Sequence, residues 1–444
     1  MKILSLFAAL FLAAVTSTSA QERVLAIEGA TLIDGTGAAP VANSTIVIRG
    51  NRIVAAGPSM KGMVPKGAER IDAKGKFIIP GLIDAHVHLS GARGSGGPDE
   101  QAGIQALHGF LYSGVTAIYD AGNNPDHIFG LRAKERAGEI ASPRIFATGP
   151  TVSAPNGHGG GSIAVEDWVK DRPKLDEHIA MKPDMLKIAQ DEHGWGTRPM
   201  INYMPIDLLE KVIRYYNAHG IRTIIHASNE LRTWESIYAG IDSLAHPVIQ
   251  APVSERYLKM IAVKKIPQVS TLTIGEGYSR LVDNPDFLDQ PLYRATLDPA
   301  MIARLKTEVR DRYAERRWTQ WMKVMTPVAQ ENLRKVHEVG GIVALGTDQS
   351  LGAATHREME LLVDAGISPA DVIKIGTLHS AMALGKENEL GTIEAGKLAD
   401  LVILNADPTT DIQNAKRIDT VIKNGQTVDR DSLRIPVNAE STTP

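Results

Sequence analysis

The sequence contains no cysteine, and this absence restricts the chemistry that the protein can perform. A chain without thiols has no disulfide, no cysteine nucleophile, no thiolate zinc site and no cysteine-bound iron–sulfur cluster. Any bound metal ion must therefore be held by nitrogen and oxygen ligands, for which 13 histidines and 51 acidic residues are available.

An excess of charge and long apolar runs are also lacking. The net charge of the 444 residues is -3, so the chain lacks the concentrated basic surface that nucleic-acid binding requires. After the first 20 residues, no apolar run approaches the roughly 20 residues that a membrane helix needs. We expect no nucleic-acid partner and no membrane span.

The first 20 residues have the three parts of an export signal. Lys2 supplies a positive start, residues 3–15 are apolar, and Thr18-Ser19-Ala20 offers a cleavage site of small residues. This pattern predicts a signal peptide at residues 1–20 and a secreted mature protein, in a bacterial periplasm or outside the cell. A buried N-terminal helix is the alternative.

Short strand patterns lie near both ends of the mature chain. VLAIEGATLID, STIVIRG and RIVAAG come early and are separated by Gly-containing turns, and LVIL and TVIKNG come late. Because isolated hairpins are marginally stable, neither group is expected to fold alone. We predict one small β-sandwich domain built from residues 21–78 and 392–444.

Strands and helices alternate through residues 79–391. Helical spacing occurs at residues 206–219, 328–339 and 357–365, and a charged segment at about 284–321 predicts a helical insertion. The pattern favours an α/β fold, a (β/α)8 TIM barrel, over the alternative of a doubly wound open sheet. The predicted strands are residues 82–88, 115–119, 144–148, 185–189, 223–227, 243–246, 268–273 and 342–347.

The strongest motif is Asp84-Ala85-His86-Val87-His88, which ends the first barrel strand. Side chains two residues apart on a strand point to the same face, so both imidazoles can bind one metal ion. A lone histidine is more often structural, but a pair at this spacing favours a metal site.

Four more polar residues stand at the ends of predicted strands, where barrel enzymes place catalysis. Lys187 interrupts an apolar run, His226 and His246 end the runs TIIH and SLAH, and Asp348 closes VALGTD. Each alone could be a solvated strand end. Their joint occurrence indicates one shared site.

In these motifs the sequence resembles the amidohydrolase superfamily, in its imidazolonepropionase-related and prolidase-like branch. The resemblance spans nearly the whole mature chain. It is carried by GATLIDGTG, PGLIDAHVHL, IIHAS, SLAHP, ALGTD, HREMELLVDAGISP and LGTIEAGKLADLVIL. It implies a metal-dependent hydrolase with a TIM barrel and a small β-sandwich.

The resemblance also implies a set of metal ligands. His86 and His88 with Asp348 would hold one divalent ion, and His226 and His246 would hold a second. Lys187 matches the lysine that becomes carboxylated in this family and bridges both ions. Zinc is the expected metal for nitrogen and oxygen ligands, and manganese and cobalt suit similar sites.

The mechanism implied by the resemblance uses a water shared by two ions. The activated water attacks a carbonyl that one metal polarises, and Asp348 moves the proton to the leaving amine. His158, in Asn156-Gly157-His158-Gly159, matches a loop that binds the substrate in this branch. The alternative for this loop is a surface turn.

One position departs from the family pattern. Peptidases of this branch often have Tyr two residues after the first histidine of the second metal, where this chain has Ser228. The sequence therefore does not support recognition of a substrate carboxylate by that route. Other candidates on loops at the mouth are Arg93, Arg232, Tyr278 and Arg280, although each also suits a solvated surface.

We therefore expect an exported binuclear hydrolase of amide bonds in small peptides or N-acyl amino acids. One alternative is a hydrolase of cyclic amides, lactones or organophosphate-like esters, which the same site would serve. A non-catalytic metal- or ligand-binding protein is a second alternative. Exposed barrel helices also commonly support homo-oligomers.

Overall fold

The structure is a computed structural model that describes residues 23–90, 98–159, 163–191 and 200–435. The predicted signal peptide at residues 1–20 and Arg93 lie outside these residues. In the described ranges the strands are β1 (Val24–Leu32), β2 (Val41–Arg49), β3 (Arg52–Pro58), β4 (Glu69–Asp72), β5 (Phe77–Pro80), β6 (Leu82–Val87), β7 (Val115–Asp120), β8 (Arg144–Ala147), β9 (Val152–Ser153), β10 (Ile163–Ala164), β11 (Met185–Ala189), β12 (Arg222–His226), β13 (Ser243–Leu244), β14 (Gln268–Val269), β15 (Val343–Ala344), β16 (Leu401–Leu404), β17 (Ile418–Lys423) and β18 (Gln426–Thr427).

Helices separate most of the strands in the middle of the chain. Several begin at a side chain that caps the first turn, as Asn124, Asn229 and Ser254 do. The described helices are α1 (Glu100–Tyr112), α2 (Pro125–Ala137), α3 (Trp168–Ala180), α4 (Ile206–Ala218), α5 (Glu230–Tyr238), α6 (Glu255–Lys264), α7 (Leu272–Asp283), α8 (Pro291–Thr296), α9 (Pro299–Arg304), α10 (Arg310–Ala314), α11 (Arg317–Glu338), α12 (Gly352–Asp364), α13 (Pro369–Lys374) and α14 (Ser380–Ala383), with short 3-10 or π turns at Pro285–Asp289, Leu305–Val309, Ile375–His379, Ile412–Lys416 and Asp431–Leu433.

Strands from both ends of the chain share one eight-stranded sheet. Its order is β18-β17-β16-β5-β1-β2-β3, and β4 also pairs with β1. The connection between the two ends is the antiparallel pair β5–β16, in which Ile79 lies opposite Val402. Alternate residues of these strands, such as Ile27, Ile46 and Ile403, form an apolar cluster of their own.

The middle of the chain forms two sheets whose strands are all parallel. The first has the order β6-β7-β8, and the second has the order β10-β9-β11-β12-β13-β14-β15. Strands β6, β7 and β11 are buried on both faces, as parallel strands covered by helices are. The molecule is thus of mixed α/β class.

Hydrogen bonds connect both outer strands of the first sheet, β6 and β8, to the second sheet. The amide of Ala85 in β6 donates to the carbonyl of Leu345 after β15 at 2.9 Å. On the other side, the amide of Asp184 before β11 donates to the carbonyl of Ala147 in β8, also at 2.9 Å. The carboxyl ends of β6 and β15 are therefore held beside each other.

The glycine of the ALGTD motif has a steric role at this point. A Cβ atom on Gly346 would lie 2.4 Å from a methyl carbon of Val269 and 2.8 Å from Cβ of His86. Real Cβ contacts are not this short, so only glycine allows the three strand ends to approach so closely. This approach brings Asp348 to the histidines of β6.

The segment between β14 and β15 is helical, and it differs from the prediction at its start. The expected strand at residues 268–273 ends at Val269, because Thr271 adopts a positive φ of 37° and α7 begins at Leu272. Helices α8, α9 and α10 follow, and α11 starts at Arg317, well before the expected residue 328. In the described ranges, no helix combines the length and apolar character that crossing a membrane requires.

Candidate metal centre

The six residues proposed as metal ligands lie together at the carboxyl ends of the parallel strands. They come from or directly follow five strands, namely β6, β11, β12, β13 and β15. Only the Asp348 side chain has notable exposure, at 14%. The residues are His86, His88, Lys187, His226, His246 and Asp348.

Asp348 and the two histidines of the H-x-H motif form one compact group. Nε2 of His88 lies 3.1 Å from Oδ1 of Asp348, and Nε2 of His86 lies 3.7 Å from the same oxygen. One ligand atom from each residue falls within 4.8 Å of the others, a spacing that could hold a metal ion. Two nitrogens and a carboxylate suit zinc or a similar divalent ion.

The backbone of Asp348 has a strained conformation at the point where its side chain meets the two histidines. Its φ is 53°, in the left-handed region that non-glycine residues seldom adopt, and its amide donates to the carbonyl of His86 at 2.7 Å.

Burial alone would raise the pKa of Asp348, but His86, His88 and Lys187 outweigh it and hold that pKa well below its usual range. The carboxylate is ionised at neutral pH.

Three of the histidines are oriented through their Nδ1 atoms. Nδ1 of His86 lies 3.2 Å from the carbonyl of Ala245, and Nδ1 of His88 lies 2.9 Å from the carbonyl of Gly122. A carbonyl only accepts, so each Nδ1 carries a proton, and in a neutral ring the lone pair of Nε2 is available to a ligand. Nδ1 of His246 lies 2.9 Å from the Thr271 hydroxyl.

The buried imidazoles favour their neutral form, which is the form that binds metals. Burial, with a contribution from Lys187, lowers the pKa of His86 well below its usual value. Burial and the neighbouring His158 lower the pKa of His226 to about 4, and burial with His226 strongly lowers that of His246. These nitrogens are available as ligands at neutral pH.

Lys187 occupies the space between the two ligand groups. Its Nζ lies 3.3 Å from Nε2 of His86, and its charge also contributes to the lowered pKa of His226 and of His246. The Lys187 amine therefore lies beside His86 and close enough to His226 and His246 to affect them, where a bridging group would reach both candidate ligand groups.

The second group contains His226, which lies against both His246 and His158. The ring centroids of His226 and His246 are 4.5 Å apart, and the ring of His158 stacks on that of His226 at 4.1 Å. Asp191 completes this group, with Oδ2 at 3.2 Å from Nε2 of His226 and 3.6 Å from Nδ1 of His158. Ligand atoms of His158, Asp191 and His226 also lie within 4.8 Å of one another.

Two buried carboxylates near these groups were missed by the sequence analysis. Asp191 follows Lys187 by four residues, so the period of two along β11 was a signal for it.

Asp84, the second of these carboxylates, accepts hydrogen bonds from the Thr347 amide at 3.0 Å and from the hydroxyls of Thr347 and Thr355. Burial raises the pKa of Asp84 to about 7, and its bonds connect the end of β6 to the Thr347-Asp348 segment.

The predicted substrate contacts have different surroundings. The guanidinium of Arg232 pairs with Glu235 and lies 3.8 Å over the ring of Tyr203. Tyr278 lies on α7, and its pKa is raised by burial first and by Tyr313 second, with Asp348 among the smaller causes. Their roles toward a substrate stay predictions.

Ser228, at the position where a tyrosine was expected, is linked to the second ligand group. Its hydroxyl donates to Oδ1 of Asp191 at 3.1 Å and accepts from the side-chain amide of Gln250 at 2.9 Å. The serine therefore orients an acidic neighbour of His226.

A family model described as "Amidohydrolase family" matches residues 77–273 and 284–428, which include all six ligand positions. The chain belongs to the amidohydrolase family. Members of this family hydrolyse carbon–nitrogen bonds and typically use metal ions, so this amidohydrolase is an enzyme with a metal-dependent hydrolytic reaction.

Individual relatives agree with the family assignment. This amidohydrolase is 33% identical to the imidazolonepropionase of Geobacillus sp. (strain WCH70), over 81% of this chain and 83% of the relative. Its fold is similar to that of a candidate prolidase from Bifidobacterium longum, with a TM-score of 0.74, 26% identity, and 93% and 98% of the two chains covered. A Xaa-Pro dipeptidase with bound methionine shares the fold at a TM-score of 0.72 and 22% identity, over 91% and 99% of the chains.

Proposed function

We propose that this amidohydrolase is an exported, binuclear metal-dependent enzyme that hydrolyses an amide bond in small peptides or N-acyl amino acids. The observation that carries the proposal is the convergence of five ligating side chains on the buried Lys187. A site for a single metal ion would need only one of the two ligand groups, either His86, His88 and Asp348 or the group around His226 and His246.

The residues of the chain fit two divalent ions, with zinc as the proposed metal. His86, His88 and Asp348 would hold the first ion, and His226 and His246 would hold the second. Lys187 would bridge them as a carbamate, since an ammonium would be repelled by two cations. When bound, such ions polarise a carbonyl and lower the pKa of water.

The proton transfers are assigned to Asp348. Its carboxylate is ionised, partly exposed at 14%, and 3.1 Å from Nε2 of His88. It would accept a proton from the attacking water and deliver it to the leaving amine, as a general base that becomes a general acid. His158 would hydrogen-bond the substrate carbonyl or carboxylate from the second group.

The proposed architecture is a closed eight-stranded barrel of residues 79–391 with a β-sandwich of residues 21–78 and 392–444. Its support is the pair of hydrogen bonds, from Ala85 to Leu345 and from Asp184 to Ala147, that connect the two parallel sheets on both sides. A closed ring of strands would direct all six ligands into one cavity.

Metal analysis and a substrate screen test this proposal. The metal-loaded enzyme should contain two equivalents of transition metal and hydrolyse members of a panel of dipeptides, N-acyl amino acids, hydantoin-like rings and lactones. Fewer than one equivalent at full activity, or turnover of lactones alone, would contradict it. Export is tested separately, because the mature protein recovered from a bacterial periplasm should begin at Gln21.

A further inference from the structure

A cavity lies beside the metal centre, between α7 and the helical segment that follows it. It encloses about 150 Å³, and its wall includes the apolar side chains of Leu281 and Leu288 and four aromatic rings. A cavity of about this volume lined by apolar side chains accommodates one benzene ring. The aromatic wall residues are Tyr278, Phe287, Tyr293 and Tyr313.

The four rings of the wall form two pairs. The rings of Tyr278 and Tyr313 lie 4.5 Å apart at an angle of 32°, and those of Phe287 and Tyr293 lie 5.1 Å apart, edge to face. Aromatic rings prefer such tilted and edge-to-face neighbours. An aromatic ring of a bound ligand would pack against both pairs in the same tilted or edge-to-face manner.

Most charged groups of the wall have partners within it, but Oε2 of Glu276 is a buried oxygen without a hydrogen-bond partner among the described residues. Two nitrogens of Arg357 donate to Oε1 of Glu276, at 3.2 and 3.0 Å. The guanidinium of Arg280 lies 4.1 Å over the ring of Phe287. A mostly apolar wall with one unpartnered carboxylate oxygen favours a neutral, mainly apolar occupant over an anionic one.

The cavity borders the reacting groups through Gln349. This residue directly follows Asp348, lines the cavity, and donates from its side-chain amide to the carbonyl of Thr273 at 3.2 Å. The hydroxyl of Thr273, another wall residue, donates to the carbonyl of Thr347. A group bound in the cavity would lie next to an amide presented to Asp348.

We infer that this cavity is a subsite for an aromatic side chain adjacent to the scissile amide. The inference rests on the proposed function and narrows its substrates to peptides or N-acyl amino acids that contain an aromatic residue. Burying a phenyl group in place of a methyl group is expected to favour binding by about 10- to 100-fold.

The test compares matched dipeptides with the metal-loaded enzyme. Glycyl-phenylalanine is compared with glycyl-alanine, and phenylalanyl-glycine with alanyl-glycine. At one of the two positions, kcat/KM should be about 10- to 100-fold higher for phenylalanine. Equal values at both positions would overturn the inference.

Gly277→Leu fills the cavity in the variant arm of the test. Gly277 lies on α7, lines the cavity, and a Cβ placed there meets only the side-chain amide of Gln349, at 3.7 Å. The variant should lose most of the phenylalanine preference. Gly130→Leu is the matched control, because Gly130 is an exposed glycine within α2 with no atom near its Cβ position, and it should keep the preference. Retention of the preference in Gly277→Leu at normal thermal stability would also overturn the inference.

Calorimetry separates this inference from the proposed reaction. Free amino acids contain no amide bond that the enzyme could hydrolyse. Phenylalanine should bind at least tenfold more tightly than alanine to the metal-loaded wild-type enzyme, and Gly277→Leu should remove the difference. If no amide is hydrolysed, the proposed function fails, while this binding difference still decides the subsite. If amides are hydrolysed but the two ligands bind equally, only the subsite fails.

Discussion

Oδ2 of Asp191 lies 3.2 Å from Nε2 of His226, the nitrogen expected to bind the second metal ion. Asp191 is fully buried, and its other oxygen accepts a hydrogen bond from Ser228. Asp191 is one of the influences that raise the pKa of His226, and it is an acidic side chain in a group that otherwise consists of histidines. The acidic side chain therefore makes the second ligand group more attractive to a cation.

Asp191→Asn is expected to weaken binding of the second ion by at least about tenfold, because it removes a charge but keeps the size of the side chain. Titration of the metal-free protein with zinc, followed by calorimetry, measures this. Ser228→Ala is the matched control, since it removes only one hydrogen bond to Asp191 and should have a smaller effect. Unchanged affinity for both ions in Asp191→Asn would refute the role.

Asp348→Asn is expected to retain metal when zinc is supplied in excess, because its amide oxygen and the two histidines remain as ligands. Its kcat should fall by about 10²- to 10⁴-fold, because an amide cannot accept and return the proton. Metal analysis and steady-state kinetics on the same preparation measure both effects. Asp207→Asn, at an exposed aspartate in the first turn of α4, controls for the loss of one charge. An Asp348→Asn enzyme with normal kcat would exclude the proton-transfer role.

The ligand positions were accessible from the sequence because their signals are local. His86 and His88 show the period of two along a strand, and Asp348 ends an apolar run. The sequence did not single out Asp191, because the apolar run of β11 stops at Ala189. The alternation of side chains along the strand nevertheless continues to Asp191.

The aromatic wall of the proposed subsite could not be predicted from the sequence in this way. It depends on contacts between α7 and the helical insertion, such as that between Tyr278 and Tyr313, which no local period encodes. The start of α11 also differs from the predicted start at residue 328. Pro327 favours a helix start at residue 328, yet the helix continues through it from Arg317.

Lys187 is expected to carry a carbamate when metal is bound. Its ammonium group would first lose a proton, and the resulting amine would react with carbon dioxide to give the carbamate and a second proton. An anion would then replace a cation between the two ligand groups. Metal-loaded enzyme equilibrated with ¹³C-bicarbonate should show a protein-bound ¹³C carbonyl resonance. Lys187→Arg keeps the charge and bulk but should show no such signal. A wild-type enzyme at full metal content without the resonance would disprove carboxylation.

Glu358 is expected to make the stability of the protein depend on pH. Its two oxygens accept hydrogen bonds from the amides of Leu272 and Thr273, both at 2.7 Å, yet burial raises its pKa from 4.5 to about 7. Below pH 4.5 the group is neutral in both the folded and the unfolded state. As the pH rises to 7, the unfolded state loses its proton first, so folding becomes less favourable.

The substitution Glu358→Gln removes this titration. The unfolding free energy of the wild type relative to Glu358→Gln should therefore fall by about 3 kcal/mol between pH 4.5 and pH 7.5, since each pKa unit corresponds to about 1.4 kcal/mol. Urea unfolding of both proteins, with metal removed so that metal binding does not contribute, measures the difference at each pH. A difference that stays constant or grows with pH would show that the Glu358 carboxyl does not have a raised pKa in the folded protein.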